Sequence, residues 1–292
     1  MSMQSVSPHI KRQYAADERR RALLETRESL SEPPIDFVGW ALDGIRWQGH
    51  ETVLDVGCGY GSHYDKLLLR YPEIKYYGLD IAPVILQNHP AREQGQLVTA
   101  DAQQLPYPDG TFDVVMANNL LYHVDDVEQS INEFKRVLKP DGALMVTTLS
   151  HANLSELRML LRKAVVLLAQ SPPSTVRMAE TVSDSFSLEE GTHILARHFS
   201  GISRFEMPST LVFRDIDTLM SYLSNIQTLM TMTLPTGVMW DDVMSLLQQM
   251  AGQMIQQYHE LKFTRINGVL VATNSGDFMR DFVEIHARTR QA

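Results

Sequence analysis

The sequence predicts an α/β protein, with a mostly parallel sheet covered by helices on both faces. Three observations carry that expectation. Short apolar runs of strand length recur at residues 52–56, 75–79, 97–99, 112–116 and 143–148. Segments with a helical apolar period separate them at 62–71, 84–89 and 127–138. The first run ends in a cluster of glycines that leads straight into the first of these helices. Strands alternating with helices imply right-handed crossovers, hence parallel neighbours buried on both faces.

Ahead of the first strand, residues 9–30 read as a charged helix in which Tyr14, Leu23, Leu24 and Leu30 are isolated apolar points. Arg19, Arg20 and Arg21 alternate there with Glu18, Glu25 and Glu28, the pattern of a solvated face. Pro33 and Pro34 end that helix. Residues 37–47 read as a second amphipathic helix, with Phe37, Trp40, Ala41, Gly44 and Ile45 on one face.

After Ser150 the alternation breaks. Residues 155–168 carry Leu157, Leu160, Leu161, Ala164, Val165 and Leu168 at helical spacing, and Pro172-Pro173 stops the helix. Residues 174–193 are polar and read as loop. Residues 199–213 read as strand, kinked at Pro208, and 215–223 as a helix capped by Asp215. Residues 241–261 form a longer helix. Residues 263–273 are either one closing strand or a strand pair turning at Asn267-Gly268. The chain thus divides into a helical cap (1–48), a strand–helix core (49–150), a helical lid containing a sixth strand (151–262), and a closing strand with a tail (263–292).

Composition narrows the function. The 292 residues hold 26 Lys+Arg against 35 Asp+Glu, a formal net charge of −9. That balance argues against binding a phosphate backbone, so no nucleic-acid partner is expected. The single cysteine, Cys58, excludes a disulfide within the chain and any multi-cysteine metal site. No apolar run approaches a membrane span, residues 1–14 lack a signal-peptide core, and a reducing cytoplasmic location is expected. Fifteen methionines are present; Met220, Met230, Met232, Met239, Met244, Met250 and Met254 crowd the last third. Most belong in a core, and flexible thioethers also suit an adaptable apolar substrate wall.

The chemistry-bearing stretch is 54–61, Leu-Asp-Val-Gly-Cys-Gly-Tyr-Gly, directly after a strand and before a helix. Glycines there let a ligand approach the main chain, and the following helix start receives negative charge. Alone, such a turn fits a dinucleotide site or merely a tight turn. Its glycines alternate as G-x-G-x-G, which is not the dinucleotide spacing. Asp80 ends the second strand, where an acid takes ribose hydroxyls of NAD and other adenosine cofactors alike. Asp101-Ala102 ends the third strand, where an acceptor meets an adenine amino group. Asn118-Asn119-Leu120 follows the fourth.

With these pieces in order, residues 51–148 resemble the class I S-adenosylmethionine-dependent methyltransferases. The matching stretches are LDVGCGYG (54–61), YYGLDIA (76–82), ADAQQLPYPDGTFDVVMANNLLYHVDD (100–126) and RVLKPDGALMVTT (136–148). The resemblance implies a Rossmann-like, doubly wound, seven-stranded, mostly parallel sheet with N-terminal helices and a helical lid insertion after strand 5. It implies S-adenosyl-L-methionine as cofactor. Asp55 and the Gly57 and Gly59 backbone would surround its methionine end. Asp80 would bind the ribose, Ile81 would pack on the adenine, and Asp101 with the Ala102 amide would read the adenine edge. The Asn118 carbonyl would accept from the cofactor's amino group. Tyr14, on an N-terminal helix of the kind that covers the cofactor in this family, is a further contact; packing is its plainer account.

The acceptor is read as a small, partly apolar metabolite methylated on O, N or C. His123, with Tyr122, stands at the rim of the presumed pocket and suits a general base; His151, past the fifth strand, is the second candidate. Methylation of RNA or protein, and a non-catalytic S-adenosylmethionine-binding scaffold, are the competing readings. A homodimer is compatible with the sequence.

Overall fold

The runs marked as strands lie side by side in one sheet. The computed structural model describes residues 29–275, apart from Gly95, Met178, Thr228 and Leu229. Tyr14, the Arg19–Arg21 run and nearly all of the 9–30 helix lie outside the described residues, as does the tail beyond 275.

The parallel core comprises β2 (Thr52–Val56), β3 (Lys75–Asp80), β4 (Leu97–Thr99), β5 (Phe112–Asn118) and β6 (Leu138–Leu149). β2 pairs with β3 and β5, β3 with β4, and β5 with β6, all parallel. β10 (Leu261–Thr273) lies antiparallel against β6, and β8 (Gly201–Phe213) antiparallel against β10. A two-residue edge strand, β1 (Ser31–Glu32), pairs with β8. The sheet order is β1-β8-β10-β6-β5-β2-β3-β4. The seven strands the sequence marks are therefore joined by an eighth at the edge. β7 (Glu180–Thr181) and β9 (Met230–Thr231) form a separate short pair.

Helices cover both faces. α1 (Phe37–Leu42) and α2 (Ser62–Arg70) close one side, burying Leu42, Tyr64 and Leu67 with Val53, Val114 and Met145 of the sheet. α3 (Pro83–Leu86) is a single turn after β3. α4 (Val127–Val137) covers the other side, with Ile131, Phe134 and Val137 fully buried. Its N-cap is Asp126, whose carboxylate accepts from the Gln129 N–H at 2.9 Å.

The helices of the 151–262 segment are built on the sheet itself. Asn267 of β10 pairs with Leu149, the last residue of β6, while the preceding Leu261–Ile266 stretch pairs only with β8. β8 and β10 thus run six residues past the end of β6, about 20 Å at strand rise. On that projection pack α5 (Ser155–Ala169), α7 (Ile216–Ile226) and α8 (Trp240–Tyr258), around Leu211, Phe213, Leu261 and Phe263. Met220, Met230, Met232, Met244, Met250 and Met254 pack against this cluster, while Met239 is exposed. The methionine surplus is mostly roof packing.

Four expectations change. The 37–47 helix stops at Leu42; Asp43 and Gly44 turn the chain, and the Trp47 indole N–H caps the Leu42 carbonyl at 2.8 Å. Residues 174–193 are not all loop: α6 (Leu188–Leu195) begins at Ser187, whose hydroxyl accepts from the Glu190 N–H. β8 passes through Pro208 unbroken, because its outer edge meets β1 only at Thr210 and Leu211 and no partner there needs the missing N–H. β10 is a single strand with no turn at Asn267-Gly268; Gly268 sits there because a Cβ would lie 2.4 Å from Leu188.

Candidate cofactor and acceptor site

The carboxyl ends of β2, β3, β4 and β5 meet at one edge of the sheet. The turn after β2 holds Gly57, Gly59 and Gly61 at φ of 68°, 58° and 80°, the left-handed region that favours glycine. Gly57 and Cys58 donate their N–H groups to the Leu79 carbonyl, at 2.7 and 3.0 Å, which ties this turn to β3. A Cβ on Gly57 would lie 2.8 Å from Leu120, so the segment after β5 closes directly over the loop. A Cβ on Gly59 would meet only the Gly57 carbonyl, at 4.0 Å, which leaves its face open.

Asp80 is buried, yet its carboxylate is held from the main chain. Oδ2 accepts from the Gly59 N–H at 3.1 Å and Oδ1 from the Ala82 N–H at 2.9 Å. The acid is thereby fixed at the strand end. Ile81, next in sequence, is half-buried at the same edge. Asp101 is half-buried after β4, and Ala102 beside it is buried. Asp101 accepts from the Gln103 N–H at 2.9 Å and also from the Gln103 side-chain amide.

Asp55 lies beneath the loop, 1% exposed. Tyr76 donates to its Oδ2 at 3.1 Å and the Asn118 amide to its Oδ1 at 3.4 Å. Burial pushes its carboxyl up to about 7 against these two donors, and the charge of Asp80 adds to the rise. Burial also drives the Cys58 thiol far above its usual range, so it is an inert small residue in this turn. Among the described residues the buried side-chain oxygen of Asn118, beside Asp55, has no partner.

His123 closes a 3-10 turn, Leu121–His123, after β5, its N–H donating to the Leu120 carbonyl at 2.8 Å. Tyr122 and His123 are both half-buried, with ring centroids 4.4 Å apart edge to face. This turn packs against a second one, Val182–Phe186, from the lid. His151 flanks the same lid turn: its Nδ1 is 3.4 Å from Asp184, and Asp184 also takes Arg158 at 3.0 Å. The His151 N–H and the Ser150 hydroxyl donate to Glu189 and hold its carboxyl down at about 2 despite burial. His151 is thus anchored at the hinge where β6 enters the lid, with its ring about half exposed.

The structure brings Asp55, Gly57, Gly59, Asp80 and Asn118, all singled out in the sequence, to one edge of the sheet, with Asn118 bonded to Asp55 and Gly59 to Asp80. Sequence reasoning does not single out Tyr76 or His89, which lie under that unit. Their only sequence signal is position: Tyr76 starts the YYGLD run and His89 follows α3. Among the described residues no cluster of His, Cys, Asp and Glu could hold a metal ion.

The residues fit an adenosine-bearing cofactor with a zwitterionic tail. An open glycine face, an acid held by main-chain N–H groups, a second acid after β4 and, among the described residues, an unpaired buried acceptor stand along one edge, at the switch point of a doubly wound sheet. Residues 54–146 match the family model described as "Methyltransferase domain". Over that stretch the core is similar to the class I S-adenosylmethionine-dependent methyltransferases.

Known proteins agree. A malonyl-[acyl-carrier protein] O-methyltransferase of Halorhodospira halophila is 37% identical over 110 residues, 36% of this chain and 37% of that protein. A norajmaline N-methyltransferase of Rauvolfia serpentina is 32% identical over 112 residues, 36% of this chain and 38% of that protein. The chain thus matches well under half the length of these relatives. A solved structure from Anabaena variabilis, described as a methyltransferase of an antibiotic biosynthesis pathway, superposes with a TM-score of 0.54 at 16% identity. It covers 81% of this chain and 96% of that one, which shows the fold.

Proposed function

We propose that this protein transfers the methyl group of S-adenosylmethionine to an O, N or C atom of a small, partly apolar acceptor. The observation that carries the reading is the unit of Asp55, Asp80 and the glycine loop, which holds two buried acids and an open backbone face in register. Asp55 and Asn118 would receive the ammonium, Asp80 the ribose hydroxyls, Ile81 the adenine face, and Asp101 with Ala102 its edge. Bound there, the cofactor supplies a sulfonium methyl that is already a good electrophile.

The chain then has two tasks, aligning the acceptor and excluding water. The roof of α5, α7 and α8 on the β8–β10 projection would serve both. His123 is our first choice to take the acceptor's proton and His151 the second. Relatives matched over 36% of this chain are named for O- and for N-methylation. That supports acceptor choice by the lid rather than by the core. The net charge of −9 favours a metabolite over RNA. Among the described residues no helix is long and apolar enough to cross a membrane. The same reading puts the protein in the cytoplasm, as a monomer or a homodimer.

The test is turnover of methyl-labelled S-adenosylmethionine against a panel of carboxylates, phenols, amines and acidic carbons. Transfer to one class supports the reading; tight cofactor binding without transfer to any acceptor favours the scaffold alternative. With an acceptor in hand, His123→Ala should lower kcat by about 100-fold or more, the usual weight of a general base, with cofactor affinity nearly unchanged. Equal loss of both would make His123 structural.

A further inference from the structure

A buried chain of hydrogen bonds leads away from Asp55, and its direction is fixed. The Ala91 N–H donates to Nδ1 of His89 at 3.0 Å, so Nδ1 carries no proton. Burial pushes the imidazole down to about 4, so the ring is neutral, and Asp65, the charge that faces it, does not reverse this. A neutral ring with an unprotonated Nδ1 carries its proton on Nε2. That Nε2 is 3.3 Å from the Tyr76 hydroxyl, which therefore receives a donor from His89 and sends its own proton to Asp55 at 3.1 Å. His89 is 3% exposed, Tyr76 and Asp55 1% each.

The same three side chains brace the cofactor loop. A Cβ on Gly61 would lie 2.9 Å from His89 Nε2, so the loop's last glycine rests on the imidazole. Tyr64 of α2 packs edge-on against both the Tyr76 and His89 rings, at 4.9 and 5.5 Å. The charged or titratable groups facing Asp55 are Asp80, Cys58 and Tyr76, with Asn118 from β5. None is a cation. Tyr76 is therefore the stronger of the two donors that keep Asp55 ionised, at 3.1 Å against 3.4 Å for Asn118.

We propose that Tyr76 and His89 are positioning residues for the cofactor, a directed His89→Tyr76→Asp55 relay that holds the Asp55 carboxylate ionised and aimed at the cofactor's ammonium. The inference rests on the cofactor reading above and deepens it. A hydrogen bond to a carboxylate lowers its proton affinity, and its removal raises it. The loss of one charge-assisted bond is worth roughly one pH unit or more.

The test is calorimetric titration of the full chain with S-adenosylhomocysteine across pH 5.5 to 9. For the wild type, affinity should fall as pH drops through the region where Asp55 takes up its proton. Tyr76→Phe keeps the ring, so packing survives, and should move that fall upward by about one pH unit. Affinity at neutral pH would then drop about fivefold, while affinity at pH 9 recovers most of the loss. His89→Ala should shift the profile in the same direction by less, and His89→Gln, whose amide can donate to Tyr76, should restore it. Thermal melting confirms that each variant is folded. A uniform loss of affinity at every pH in Tyr76→Phe, or an unshifted profile, would overturn the relay while leaving the cofactor reading intact. Failure of the wild type to bind at any pH would overturn both.

Discussion

Asp55 is a carboxylate held where burial works against its charge, and this has a measurable cost. Its carboxyl rises from 3.8 to about 7. Below pH 3.8 both folded and unfolded chains are protonated there and the residue is neutral to stability. As pH rises to about 7 the unfolded chain ionises first, so folding stability is lost across that window and stays lost above it. The full effect is on the order of 4 kcal/mol. Asp55→Asn removes the titration and should unfold at a higher temperature than wild type at pH 8, with the gap closing toward pH 4. Its affinity for S-adenosylhomocysteine should fall in the same experiment. A variant less stable than wild type at pH 8 would refute the strain. Several of these site residues could be read from sequence because strand ends and glycines carry local signals. Tyr76 and His89 could not, because their roles depend on hydrogen bonds across 21 and 13 positions of chain.

Among the elements, periodicity located most helices and strands to within a few residues, and α6 shows where it stops working. Eight residues hold too few turns for an apolar stripe to stand out, and Gly191 interrupts the one there is. The structure explains that glycine: a Cβ would lie 2.8 Å from Phe186 and 2.9 Å from Leu270, so the helix needs it to lie down on the sheet. The readable signal was Ser187 three residues before Glu190, a helix start. That cap fastens the helix beside the lid turn shared by His123 and His151. Ser187 is fully buried, and its hydroxyl accepts from Glu190 at 3.1 Å. Ser187→Ala should cost about 1 kcal/mol and lower the melting temperature by a few degrees. An unchanged melting curve would mean that packing against β10 alone holds α6.

The whole molecule carries its apolar interior in separate layers. Two flank the sheet and include the strands that end in the cofactor loop. The third lies between the lid helices and the projecting halves of β8 and β10. The sequence marked the helices of that roof but not its foundation, since the register that carries β10 beyond β6 is set by distant pairings. Phe263 is the test of the layering. It is fully buried, its ring is 5.5 Å from Phe213, and it lies beyond the last residue paired with β6. Truncating such a side chain costs about 3–5 kcal/mol in lost burial and residual cavity. If the roof opens as a unit of its own, Phe263→Ala concentrates that loss in α5, α7 and α8. Amide exchange should then quicken by about 100-fold or more in those helices at 25 °C, with β2, β3 and β5 nearly unaffected, on the basis that 1.4 kcal/mol is tenfold. On the proposed function, S-adenosylhomocysteine should still bind the variant, whereas methyl transfer to an acceptor should collapse, because the cofactor edge and the roof draw on different layers. Exchange that quickens equally in β2 and β5 would instead make the sheet and its roof a single cooperative structure, with cofactor binding and acceptor closure failing together.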